Sequence, residues 1–135
     1  MLDFKKYVAA SVGTFALATG AAAFFPATAS AAPYGNQCGA GYDVVDQHDL
    51  KGGTVYLTYN GDQNCVVTVR NDPGAALPMG AGVRLAGEEG NLSLDEGEYT
   101  EYAGPVYLPA HGKCIDWGGS ITDDKFEDFN VHCGK

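Results

Sequence analysis

Hydrophobic and polar positions alternate with period two in several short stretches, and none sustains the 3.6-residue period of an amphipathic helix. Residues 54–60 are the clearest case. Val55, Leu57 and Tyr59 fall on one side, with Thr54, Tyr56 and Thr58 on the other. The turn formers Asn60-Gly61-Asp62-Gln63-Asn64 follow, then a β-branched run over residues 65–70 that ends at Asn71-Asp72-Pro73-Gly74. This predicts a hairpin. Upstream, residues 42–46 precede Lys51-Gly52-Gly53, which predicts a further strand running back along 54–59.

Downstream, residues 99–102, 105–108 and 113–117 read as short strands. Residues 126–133 are expected to pair with 113–121 around Thr122-Asp123-Asp124. Residues 81–86 read as a strand, and the acidic, glycine-containing stretch 87–97 as an exposed connection. The pattern predicts an all-β domain, a compact antiparallel sandwich or barrel of seven or eight short strands.

The first 31 residues have a different pattern. Met1 to Lys6 is a short basic region, and residues 7–25 carry no charge. The apolar run is rich in Ala, Gly, Ser and Thr, ends at Pro26, and precedes Ala29-Ser30-Ala31, an A-x-A pattern of the kind signal peptidases accept. Residues 1–31 are therefore expected to be a cleaved signal peptide, and residues 32–135 a single secreted β domain. A membrane anchor is the competing reading, but so Ala-rich a run gains little from staying in lipid.

Cleavage leaves six basic residues, Lys51, Arg70, Arg84, Lys113, Lys125 and Lys135, against sixteen acidic ones, a net charge of −10 compared with −9 for the whole chain. Nucleic-acid binding needs a basic patch to displace counterions, and no such cluster occurs. The same balance disfavours an anionic membrane surface. Neither nucleic acid nor, after signal cleavage, a membrane is therefore an expected partner.

Four cysteines in a small exported chain predict disulfides. Three pairings are open, and the strand pattern favours Cys38 with Cys65 and Cys114 with Cys133. Each such loop is worth about 3 kcal/mol. No C-x-x-C or H-x-x-x-H spacing marks a zinc site.

Five stretches carry a resemblance: Cys38-Gly39-Ala40-Gly41-Tyr42, residues 53–60, residues 64–70, Tyr102-Ala103-Gly104-Pro105-Val106-Tyr107 and Cys114-Ile115-Asp116-Trp117-Gly118-Gly119. Together they resemble the spore-associated protein A family, small exported proteins of filamentous actinobacteria. The resemblance implies an extracellular location, association with spores or aerial surfaces, and no established catalysis. No residue role carries over.

Candidate chemistry is sparse. There is no G-x-S-x-G elbow, and every cysteine is assigned to a bridge. His48, His111 and His132 could meet at a metal only if the fold converged them. Glu88, Glu89, Asp95, Glu96 and Glu98, with Asp123 and Asp124, are calcium candidates without D-x-D-x-D-G spacing. No cofactor is expected.

Tyr56, Tyr59, Tyr99, Tyr102, Tyr107 and Trp117 could form a glycan-stacking platform, though tyrosine also packs across sheets. The possible ligand contacts are Tyr102, Tyr107, Trp117 and Asp116. Asp116 should point opposite Ile115 and Trp117, which fits a structural hydrogen bond to a turn.

The chain is read as a non-enzymatic surface or spore-associated protein, a coat component or surface-binding module. Two alternatives stand beside it: a protease inhibitor presenting Leu77 or Met79 on a loop over 75–80, and a small glycan-binding module. Export carries its own test. The secreted protein should begin at Ala32, or at Ser30 if cleavage follows Ala29, by intact mass; a product retaining residues 1–25 would overturn it.

Overall fold

The computed structural model describes Leu2 and residues 33–134. The signal peptide assigned to residues 1–31 thus lies, Leu2 apart, outside the described residues. The domain is all-β. Eight strands are β1 (Asp43–Leu50), β2 (Gly53–Tyr59), β3 (Gln63–Arg70), β4 (Leu77–Leu85), β5 (Ser93–Tyr99), β6 (Tyr102–Pro109), β7 (Ile115–Ile121) and β8 (Asp124–Val131). They form two four-stranded antiparallel sheets, ordered β1-β2-β3-β6 and β5-β4-β7-β8.

The alternation that marks residues 54–59 is realised as two different apolar layers. Val55 and Leu57 point between the sheets with Val66 and Val106, facing Val83, Ile115 and Trp117 of the second sheet. Tyr56 points away and packs with Cys65, Val67 and Val69 on the outer face of the first sheet. That face is covered by the segment before β1, where Cys38 is bridged to Cys65 and Tyr34 and Tyr42 lie against the cluster. The second bridge joins Cys114 and Cys133, before β7 and after β8. The loops are 27 and 19 residues long, so each bridge contributes about 3 to 3.5 kcal/mol by loop entropy.

Three expectations need correction. Residues 77–80 belong to β4, where Met79 is 2% exposed and sits in the core, so neither an inhibitory loop over 75–80 nor a Met79 free to enter a protease pocket exists. The glycines at 80 and 82 obscured this strand, because they replace the polar half of its alternation. Residues 93–97 are strand rather than connection: β5 exposes Leu94, Glu96 and Glu98 and turns Ser93, Asp95 and Tyr99 inward. Residues 99–102 are not one strand, since β5 ends at Tyr99 and β6, in the other sheet, begins at Tyr102.

Side-chain contacts close the sandwich at one end and along one seam. At one end Arg70 donates from Nη1 to the carbonyls of Ala75 (2.8 Å), Thr100 (3.1 Å) and Tyr99 (3.2 Å), gathering the β3–β4 and β5–β6 connections. Along the β1–β8 seam, His48 stacks on Phe126 at 3.9 Å, His132 meets Asp46 at 2.9 Å, and the Lys51 N–H donates to Asp124 at 2.6 Å.

Gly104 and Gly119 are among the glycines that geometry demands. Gly104 has φ +92°, and a Cβ there would come 2.8 Å from the Val66 carbonyl at the β3–β6 bulge. Gly119 faces the first sheet across the core, against Thr68 and Val55. A Cβ at 119 would be 2.1 Å from Thr68 Oγ1 and 2.8 Å from a Val55 methyl, and Thr68 is held by donating to the Gly80 carbonyl across the core. Gly119→Ala should therefore cost about 1–3 kcal/mol, read as a lower denaturant midpoint at unchanged slope. An unchanged midpoint would mean that the sheets separate freely at this point.

Candidate functional site

The structure separates the side chains that the sequence offers as ligand contacts. Trp117 is fully buried between the sheets, edge-on to Phe126 at 5.0 Å and to His132 at 6.4 Å. It belongs to the core.

Asp116 faces the opposite way and is 2% exposed. Its Oδ2 accepts from Arg84 Nε at 2.7 Å and from the Gly87 N–H at 3.2 Å, while Oδ1 accepts from the Asn130 N–H at 2.8 Å. The last contact follows from the register. The β7–β8 pairing shifts between Ile115 and Trp117, which takes the Asn130 N–H off the ladder and leaves it needing an acceptor. Asp116 is committed to holding the sheet.

Tyr102 and Tyr107 do share a face. Tyr102 lies opposite Val69 and Tyr107 opposite Cys65, so both project from the outer side of the first sheet, with 36% and 37% of their surface exposed. Tyr107 is partly engaged: its hydroxyl donates to the Cys38 carbonyl at 3.0 Å and its ring meets Tyr42 edge-on at 5.7 Å. Tyr42 in turn accepts from Gln63 Nε2 at 2.7 Å. Tyr56 lies buried in the same face against Tyr34, and Tyr99 packs inward with its hydroxyl on Asp95. The six aromatics therefore form no single platform. What remains is a strip of two exposed tyrosines on β6, able to stack on a planar or ring-shaped partner.

The titratable candidates are dispersed. His48, His111 and His132 lie apart: the first stacks on Phe126, the second meets Asp62 in solvent, the third meets Asp46. Among the described residues no three His, Cys, Asp or Glu side chains group to hold a metal ion. Asp95 accepts from the Gly104 N–H and Asp124 from Lys51. Glu88 accepts from Asn91.

A concavity of about 320 Å³ opens elsewhere, on the second sheet, between Pro78, Glu96, Glu98, Ser120 and Thr122. The Leu2 N–H donates to Glu96 Oε2 there at 2.8 Å. Sequence reasoning missed this hollow because it took 87–97 for a connection; the spacing of Glu96 and Glu98 two apart is the signal that puts both carboxylates on one strand face.

Comparison with known proteins adds a family to this geometry. The chain is 42% identical over 127 residues to spore-associated protein A of Streptomyces coelicolor, covering 92% of this chain and 82% of that protein. The chain belongs to the spore-associated protein A family. The aligned length exceeds the folded domain, so the likeness extends into the N-terminal segment. No protein-family model and no solved structure matches the chain. Two disulfides and a spore-associated relative are consistent with an extracellular or surface location for this family member.

The tyrosine face has a titration signature. Burial pushes the Tyr34, Tyr56 and Tyr107 hydroxyls above the usual 10.0, and the hydrogen bond to Asp95, then burial, raises Tyr99. A phenol held protonated by the fold stabilises it fully below the unfolded value, and that stability is lost as pH rises through the raised folded values. The melting temperature should thus hold up to about pH 10 and fall as pH rises further, with these four tyrosines ionising at higher pH in the folded domain than in the unfolded chain. Near-ultraviolet phenolate absorbance followed beside circular dichroism checks this. Ionisation of these four at the same pH in the folded and unfolded protein would contradict it.

Proposed function

We propose that the protein is an exported, non-enzymatic component of the spore or cell surface, acting as a coat constituent or surface-binding module. The observation that carries this reading is the 42% identity, over nearly the whole chain, to a protein named for its association with spores. The construction of the domain supports it. Cysteines stand in bridges, Asp116 is spent on Arg84 and two backbone N–H groups, and Trp117 fills the core. These are the uses a durable scaffold makes of its reactive residues.

The proposed partners are surface components rather than nucleic acid or membrane, consistent with the net charge of −9. A second reading, small glycan binding, is favoured by one observation: Tyr102 and Tyr107 lie exposed on the same outer face.

Purified protein mixed with washed Streptomyces coelicolor spores should sediment with them and survive salt and detergent washing. Tyr102→Ala combined with Tyr107→Ala should leave a folded domain, and a several-fold drop in retention would assign the contact to the tyrosine strip. Complete release of the wild-type protein by salt alone would overturn the surface reading.

A further inference from the structure

We infer that the Cys114–Cys133 bridge is a thiol-exchange site through which the protein becomes covalently coupled to a cysteine-bearing surface protein. The inference rests on the surface reading only for where that partner thiol is found.

The two bridges differ in what surrounds them. Cys38 is 3% exposed and Cys65 is fully buried in the middle of β3, beneath the Tyr34, Tyr42 and Tyr56 cluster, with Tyr107 donating to the Cys38 carbonyl. No thiol reaches those sulfurs without lifting the segment before β1. Cys133, by contrast, is exposed, lies two residues beyond the end of β8, and is followed by an exposed Gly134; Cys114 is half-buried. A nucleophile needs access to one sulfur along the S–S axis, and the exposure of Cys133 and Gly134 puts that approach on the Cys133 side.

Opening this bridge does not require opening the sheet. β8 is held by pairing from Asp124 opposite Ile121 to Val131 opposite Ile115, by the Asn130 N–H on Asp116, and by His132 on Asp46. All of these lie before Cys133. Exchange would release only the segment from Cys133 onward, which becomes the tether.

The step balances without an external oxidant. The partner's thiolate sulfur attacks Cys133 Sγ and forms the new S–S bond. The bond to Cys114 Sγ breaks, its electron pair leaves on Cys114 as a thiolate, and that sulfur takes a proton from water.

The test uses protein secreted into the medium and purified without reductant. Exposure to cysteamine, a small monothiol, under native conditions should place cysteamine on Cys133 and free Cys114 for alkylation, with Cys38–Cys65 intact and the sheet signal unchanged. Adducts that appear on both bridges together with loss of sheet, or no adduct short of unfolding, would overturn the inference.

On spores, a thiol reductant should elute wild-type protein that salt and detergent leave behind, with Cys38–Cys65 still closed. Cys114→Ser with Cys133→Ser should cut wash-resistant retention several-fold. If wild type and variant are retained alike and reductant releases neither, the covalent inference fails and the surface reading stands; if salt removes both alike, both fail. Reductant release of the wild type decides the matter should the variant not fold.

Discussion

The carboxylate of Asp116 is the constraint on which the second sheet depends. β7 is paired on both sides, with β4 and with β8, and the β8 side carries a bulge. A bulge strands a backbone N–H, and an unpartnered one buried in a sheet costs free energy comparable to a lost hydrogen bond. Asp116 supplies the acceptor, and its own charge is matched by Arg84 from β4, with the Gly87 N–H closing the turn beyond that strand. Strand β4, the turn after it and strand β8 thus meet at two oxygens of β7. Removing one partner of such a buried pair costs about 3–5 kcal/mol, against a total of about 5–15 for an ordinary domain. With the knot in place, Cys114 and Cys133 are delivered to bonding distance and Trp117, next along the strand, is turned into the core.

The first sheet is organised differently. Its outer face is apolar and needs a cover, which the segment before β1 provides once Cys38 is fixed to Cys65. Arg70 then does for the loops what Asp116 does for the strands, using donors in place of acceptors. A guanidinium fans several N–H groups at once, so one side chain can satisfy carbonyls from connections that never pair with each other.

How much of this was legible in the sequence follows from which positions carried side chains with a preference. The β1-β2-β3 meander and the β7–β8 hairpin are written in β-branched and aromatic residues bounded by turn formers, and both appear as read, with the bridges they imply. β4 was shortened because Gly80 and Gly82 take the place of outward polar residues, so the alternation is one of large and small. β5 was hidden by Asp95, Glu96 and Glu98, poor strand formers that an edge position tolerates because pairing with β4 outweighs local propensity. Opposition of Asp116 to Ile115 and Trp117 followed from period two alone. Its partners Arg84, Gly87 and Asn130 did not, because contacts 32, 29 and 14 residues away depend on sheet order.

The shortness of the connections between strands has a consequence for proteolysis. Between Cys38 and Cys133 nearly every described segment is strand or short turn, and an endopeptidase needs several residues drawn out into an extended, unpaired form before it can cut. A cut inside the described domain therefore waits for a sheet to open, so the pace of internal cleavage is set by how often the sandwich unfolds and not by how many scissile sequences it displays.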